Sequence, residues 1–223
     1  MRDVASLKQE SDVQAFGDLI GACQGMRSIY RTIEKVAGTD ITVLVQGETG
    51  TGKEVIAREI HRRSPRSKGA FVSINCGAIP ENLLESELFG HVRGAFTGAV
   101  SDKIGKFEAA NKGSLFLDEI GEMNPMLQVK LLRALQERSI TRVGENRERP
   151  FDARVLCATN KNLQEEVRAG RFREDLYYRL NEVLMIVPPL RERGDDVLLL
   201  ANFLLKKFIK EFNAPVKGFT PDA

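Results

Sequence analysis

Short runs of consecutive apolar residues alternate along this chain with longer stretches whose apolar positions recur every three or four residues. The runs Thr42–Val45, Phe71–Asn75, Ser114–Leu117, Arg154–Ala158 and Val183–Val187 have the length and continuity of strands buried on both faces. Between them, Lys53–Arg63, Asn82–Phe89 and Met126–Arg138 have helical patterns. The last is the clearest, because Leu127, Leu131, Leu132 and Leu135 fall on one side of a helix. Strands alternating with helices predict an α/β fold, a doubly wound parallel sheet covered on both faces. Pro188-Pro189 stops the last strand and marks a boundary. Beyond it an amphipathic helix is expected from about Val197 to Phe212, and a lone helix cannot bury its apolar side. Residues 1–15 therefore read as a linker or the tail of a preceding domain, residues 16–189 as the α/β core, and residues 190–223 as the start of a truncated helical lid.

The chemistry sits where these strands end. Gly47-Glu48-Thr49-Gly50-Thr51-Gly52-Lys53-Glu54 follows one strand and opens a helix, the context that a phosphate-binding loop requires. Its glycines let backbone N–H groups converge on phosphate oxygens, the helix N-terminus adds positive potential, and Lys53 adds a point charge. Glu54 stands where most such loops carry Ser or Thr, so one usual Mg²⁺ ligand is missing. The run Ser114–Leu117 leads into Asp118-Glu119, two acids at the edge that faces the nucleotide crevice in a parallel sheet. Asp118 can hold Mg²⁺ through water, and Glu119 can polarise the attacking water. A nucleoside triphosphate and Mg²⁺ are thus the expected ligands.

A second glycine-rich string, Gly94-Ala95-Phe96-Thr97-Gly98-Ala99, makes a poor core element yet presents Phe96 and Thr97 at a loop tip. Together the two strings resemble the central domain of the AAA+ ATPases that activate bacterial RNA polymerase carrying sigma-54, the nitrogen-regulator-like enhancer-binding proteins. The resemblance runs from about Phe16 to the end of the chain. It implies a RecA-like AAA+ core that hydrolyses ATP at the subunit interfaces of a ring, a hexamer in the full-length protein. It also implies that the Gly94–Ala99 loop contacts sigma-54 and remodels the closed complex of the RNA polymerase holoenzyme. An acidic residue at Glu54 is usual in that family. The resemblance further implies a restraining role for Asn75 on the Glu119 carboxylate, a plain strand-end turn residue being the alternative. Thr159-Asn160 matches the family's first sensor, with Asn160 near the γ-phosphate, against an ordinary turn. Arg173 and Arg179 match its arginine fingers, against simple pairing with Glu174 and Asp175. Ile20-Gly21 resembles the segment lining the adenine pocket. A second loop, Arg142-Val143-Gly144-Glu145-Asn146, is expected beside the first.

Composition narrows this little. Of 223 residues, 42% are hydrophobic and 29% charged, as in ordinary globular domains, and a net charge of +2 gives no case for nucleic-acid binding. DNA binding is expected only through a C-terminal domain absent from this chain. The densest basic stretch, Arg58, His61, Arg62, Arg63, Arg66 and Lys68, reads as a solvated helix end favoured by the dipole. Cys23, Cys76 and Cys157 are scattered without metal spacing, and Cys76 and Cys157 read as core residues. His61 and His91 lack zinc-spaced partners. No apolar run has transmembrane length and no signal peptide is evident, so a cytoplasmic location without membrane contact is expected. Two rivals remain: a AAA+ remodeller of another protein, with no reason to carry the Gly94–Ala99 string, and a nucleotide-gated assembly or regulatory module without turnover. The incomplete lid adds the expectation that this chain alone associates weakly and turns over ATP poorly.

Overall fold

The computed structural model describes residues 15–213, 215, 216 and 218–220; the rest of the expected linker and the last residues of the expected lid lie outside them. In chain order the elements are β1 (Ala15–Phe16), β2 (Leu19–Ile20), α1 (Gln24–Ala37), β3 (Val43–Gln46), α2 (Lys53–Arg62), β4 (Phe71–Asn75) and α3 (Glu81–Phe89). There follow β5 (Gly90–His91), β6 (Lys103–Ile104), α4 (Lys106–Ala109), β7 (Ser114–Asp118), α5 (Pro125–Glu137), β8 (Ser139–Thr141) and β9 (Glu148–Pro150). The chain continues through β10 (Arg154–Thr159), α6 (Leu163–Arg168), α7 (Glu174–Leu180), β11 (Val183–Ile186) and α8 (Asp196–Phe212). Short 3₁₀ turns at Ile120–Glu122 and Leu190–Glu192 precede α5 and α8.

Five strands form one parallel sheet in the order β11-β3-β10-β7-β4. The period-2 pleat splits their side chains between two cores. Val43, Val45, Phe116, Leu156 and Ala158 pack with α1 and α2 on one face. Leu44, Leu115, Leu117, Val155 and Cys157 pack with α3 to α7 on the other. The central strands β3, β7 and β10 are buried on both sides, which is why they read as continuous apolar runs, whereas the edge strands β4 and β11 leave Ser73, Leu184 and Ile186 exposed. The doubly wound expectation holds, with strand ends differing by a residue or so.

Sequence reading passed over α1, although Met26, Ile29, Tyr30, Ile33, Val36 and Ala37 recur at helical spacing and are buried. The basic stretch also differs from expectation, for most of it is paired. Arg58 bonds Glu54, Arg62 bonds Asp18, Arg63 bonds the buried Glu59, and Arg66 bridges Asp40 and Asp152. His61 is buried with Nδ1 2.9 Å from Ser114 Oγ. Cys76 and Cys157 are core residues.

Two small hairpins project from the layered core. β5 pairs antiparallel with β6, and β8 with β9. The first closes so tightly that a Cβ on Gly105 would lie 2.4 Å from the Gly90 nitrogen. No helix among the described residues is long and apolar enough to cross a membrane.

Candidate functional site

The sheet order brings four strand ends to one crevice. The chain leaves β3 into the glycine loop, whose Gly47 N–H donates to Thr159 O at the end of β10 (3.1 Å). β7 ends beside β10 with Asp118, and Asn75 lies opposite Asp118 in the register with β4. Gly50 (φ +81°) and Gly52 (φ +94°) adopt left-handed backbone that a side chain would strain. Lys53, the first residue of α2, is 8% exposed and donates from Nζ to the Gly47 and Glu48 carbonyls at 2.8 and 3.0 Å. Burial lowers its pKa, while the nearby Asp118 and Glu119 carboxylates oppose that shift. Glu54 points away to Arg58, so it adds no ligand to the loop in this conformation.

Glu119 is itself strained, with φ at +52° where β7 turns into the 3₁₀ segment. Its backbone N–H donates to Asp118 Oδ1 at 3.0 Å. The expected contact between Asn75 and Glu119 is replaced by another. Asn75 Nδ2 reaches Asp118 Oδ2 at 3.3 Å, and its Oδ1 accepts from Gly77 and Ala78 N–H, both at 2.9 Å. The turn after β4 fixes the amide so that its free donor meets the acid directly across the ladder. The Glu119 carboxylate lies over Gly77, where a Cβ would come within 2.5 Å of Oε2. Asn160 Nδ2 reaches across to Thr49 Oγ1 in the glycine loop (3.4 Å).

Beside the loop opens a cavity of about 390 Å³ whose apolar lining includes Ile20, Met26, Val55, Leu190 and Leu200. Gly21 follows Ile20 in the chain and is not part of the lining; its carbonyl accepts from Tyr30 Oη at 3.1 Å. Three residues missed in the sequence close this side. Arg191 makes a two-point ion pair with Glu48, holding that carboxyl below the usual range, at 2.7 and 2.5 Å. Arg193 donates to Pro188 O and Thr51 O at 2.8 and 2.9 Å. The buried Asp196 accepts from Ala22 and Cys23 N–H at 2.6 and 3.1 Å. The segment Arg191–Asp196 thereby grips both the phosphate loop and the chain just after Ile20-Gly21. The charged run after Pro188-Pro189 was the only signal for it.

Arg173 and Arg179 do not line this cavity. Arg173 pairs with Asp175 at 2.6 Å, and Arg179 pairs with Glu182 and donates to Leu135 O. The Gly94–Ala99 loop lies elsewhere again, on the hairpin of β5 and β6. Gly94 (φ +82°) and Gly98 (φ +104°) turn it, and Gly94 N–H donates to Ala99 O at 2.8 Å. Thr97 is exposed, and Phe96 is 39% exposed with its ring edge-on to His91 at 5.0 Å. Beneath it, His91 Nδ1 lies 2.6 Å from Ser86 Oγ. The loop at Arg142–Asn146 stands beside it. Val92 N–H donates to Val143 O, and a Cβ on Gly144 would meet Ala95 at 2.7 Å.

The acids fit a hard divalent cation held mainly by its ligand. No group of three His, Cys, Asp or Glu side chains among the described residues forms a cage, whereas Mg²⁺ typically takes one or two carboxylates and completes its shell with phosphates and water. Asp118 keeps lone pairs free after meeting the Glu119 N–H and the Asn75 amide.

A parallel sheet with a glycine loop after one strand and paired acids after another defines a P-loop NTPase of AAA+ architecture. Residues 19–186 match the sigma-54 interaction domain, and the chain belongs to that family. It is 57% identical over 189 residues to the anaerobic nitric oxide reductase transcription regulator NorR of Salmonella paratyphi C, an overlap of 85% of this chain and 37% of that protein. The crystal structure of NtrX from Brucella abortus in complex with ADP superposes with a TM-score of 0.85 at 35% identity, over 92% of this chain and 44% of NtrX. The ATP complex of the same protein gives 0.84 at 35% identity, over 91% and 44%. The chain thus spans well under half the length of these relatives.

Proposed function

We propose that this domain binds and hydrolyses ATP and uses the cycle to drive the Gly94–Ala99 loop against sigma-54, opening promoter complexes of the RNA polymerase holoenzyme. The adenine lies in the apolar cavity beside Ile20 and Gly21, and the phosphates lie along Gly47–Glu54. There the backbone N–H groups and the N-terminus of α2 face the anion, and Lys53, already aimed along the loop by two carbonyls, neutralises the β- and γ-oxygens. Asp118, held by Asn75 and by the Glu119 N–H, would hold Mg²⁺ through water; the cation supplies charge neutralisation on the triphosphate. Glu119 polarises the attacking water, and Asn160 stands at the γ-phosphate end, where its amide already touches the loop.

Arg173 and Arg179 act in trans. Both lie outside their own subunit's cavity on partly exposed ion pairs that can exchange for phosphate, so the reading carries a ring, a hexamer in the full-length protein. The observation that carries the coupling is the exposed Phe96-Thr97 tip on a glycine-closed hairpin, linked to the strand-end crevice only through the scaffold. Phe96→Ala and Thr97→Ala should keep ATP turnover and lose sigma-54 binding and promoter opening. Normal transcription by both variants would refute the loop as the contact surface.

A further inference from the structure

Gln128 is a polar side chain with no solvent exposure, in the first turns of α5. Its amide makes three hydrogen bonds. Nε2 donates to Met123 O at 2.7 Å and to Arg171 O at 3.0 Å, and Oε1 accepts from the Arg173 backbone N–H at 2.8 Å. The orientation is fixed by chemistry, since a flipped amide would set its NH₂ against an N–H and its oxygen against two carbonyls. Leaving such buried groups unpaired is costly, so the three partners are held together.

These partners come from two functional segments. Met123 ends the turn that begins at Glu119, one 3₁₀ segment downstream of the two acids. Arg173 is the N-cap of α7, the helix that carries Arg179. At the far end of α5, Leu135 O accepts from Arg179 Nη2 at 3.2 Å. One helix therefore holds the arginine segment at both ends, and Gln128 also anchors it to the acid-bearing turn.

We infer that Gln128 is the positioning residue of the arginine segment, and that it ties the carboxylate turn of one subunit to the arginine which that subunit offers its neighbour. This rests on the reading of Arg173 as a finger acting in trans. A shift of the Glu119 turn moves the Met123 carbonyl, and the Gln128 amide, itself without solvent exposure, passes the displacement to the backbones of Arg171 and Arg173. Nucleotide state in one site is thereby reported to the next site around the ring. Gln128 touches no substrate.

Two variants test this in the assembled protein. Gln128→Met removes all three bonds at similar volume. Gln128→Glu keeps the acceptor for Arg173 N–H and sets an oxygen against both carbonyls. Each should lower kcat by about 10²-fold, the scale of an ångström misplacement, with ATP affinity and KM unchanged. Adding Gln128→Met to Arg173→Ala should bring little loss beyond that of Arg173→Ala alone, as for residues acting as a unit. Mixed rings with Lys53→Ala subunits should regain turnover, because the Gln128 variant's own site would then receive an intact neighbouring arginine. Full turnover by either Gln128 variant, additive losses with Arg173→Ala, or no recovery in confirmed mixed rings would overturn the inference. Arg173→Ala alone separates the two levels. If it keeps full turnover, the finger reading falls and the inference with it; if it is inactive and recovers in mixed rings while the Gln128 variants are normal, only the inference falls.

Discussion

Arg154 is completely buried, and among the described residues it forms no ion pair. Its guanidinium instead caps the carboxyl end of α1, donating to Val36 O and Ala37 O at 2.9 and 3.0 Å. Burial lowers its pKa to about 10, which leaves it charged at neutral pH. Arg154→Met takes the partner from Ala37 O, while Val36 O keeps Thr39 N–H and Oγ1, and urea denaturation should show a loss of about 1–3 kcal/mol. His61 gives a pH test. Burial pushes its pKa below the ordinary value, so the unfolded chain binds the proton more readily than the native state. Its contribution is therefore complete above about pH 6.5 and is lost as pH falls through the native pKa. A melting-temperature profile should show a shallower acid limb in His61→Gln than in the parent. At the site, Lys53→Ala should abolish tight ATP binding, whereas Glu119→Gln should bind and not turn over; a fluorescent nucleotide and a phosphate-release assay separate the two.

At the scale of elements, the short hairpin and the entry to α8 are the parts with something to transmit. The backbones of Gly90 and Gly105 touch, so Gly105→Ala must spread the base of the Gly94–Ala99 loop. Nucleotide binding should survive that change while sigma-54 capture is lost, a split that paired binding assays would read. The start of α8 acts on the other side of the domain. Asp196 takes two N–H bonds from the chain just before α1, and Arg193 holds Thr51 O. Asp196→Asn removes the charge from those bonds and should weaken ATP binding roughly 10-fold, measured by titration. A normal Kd would show that this strap does not shape the base pocket.

For the whole molecule, the proposed reading draws phosphate, metal and water ligands from one chain, while neither Arg173 nor Arg179 lines that chain's cavity. Turnover per subunit should therefore rise with protein concentration. Arg173→Ala and Arg179→Ala should each lower it, by as much as about 10³-fold for a true finger. Two inactive proteins, one lacking Lys53 and one lacking the arginine, should partly restore activity when mixed. Failure in confirmed mixed rings would place the arginine's action in cis.

The strands, the phosphate loop and the acid pair were legible in the sequence because each is a local pattern. A strand buried on both faces must be continuously apolar, a loop that cradles phosphate must be glycine-rich, and carboxylates for a crevice must close a strand. Long-range pairing has no such signature. Nothing in the residues near Asn75 says that its amide meets Asp118 rather than Glu119, because the register of β4 on β7 decides it. Nothing near position 196 names Ala22 and Cys23, which stand 174 and 173 residues away. Gln128 reads as one polar residue in a leucine-rich helix until packing places Met123, Arg171 and Arg173 around it. Composition and periodicity determined what each segment could become, and only the tertiary structure decided which buried donors and acceptors would meet, since a polar group taken out of water must pair with whatever the fold brings beside it.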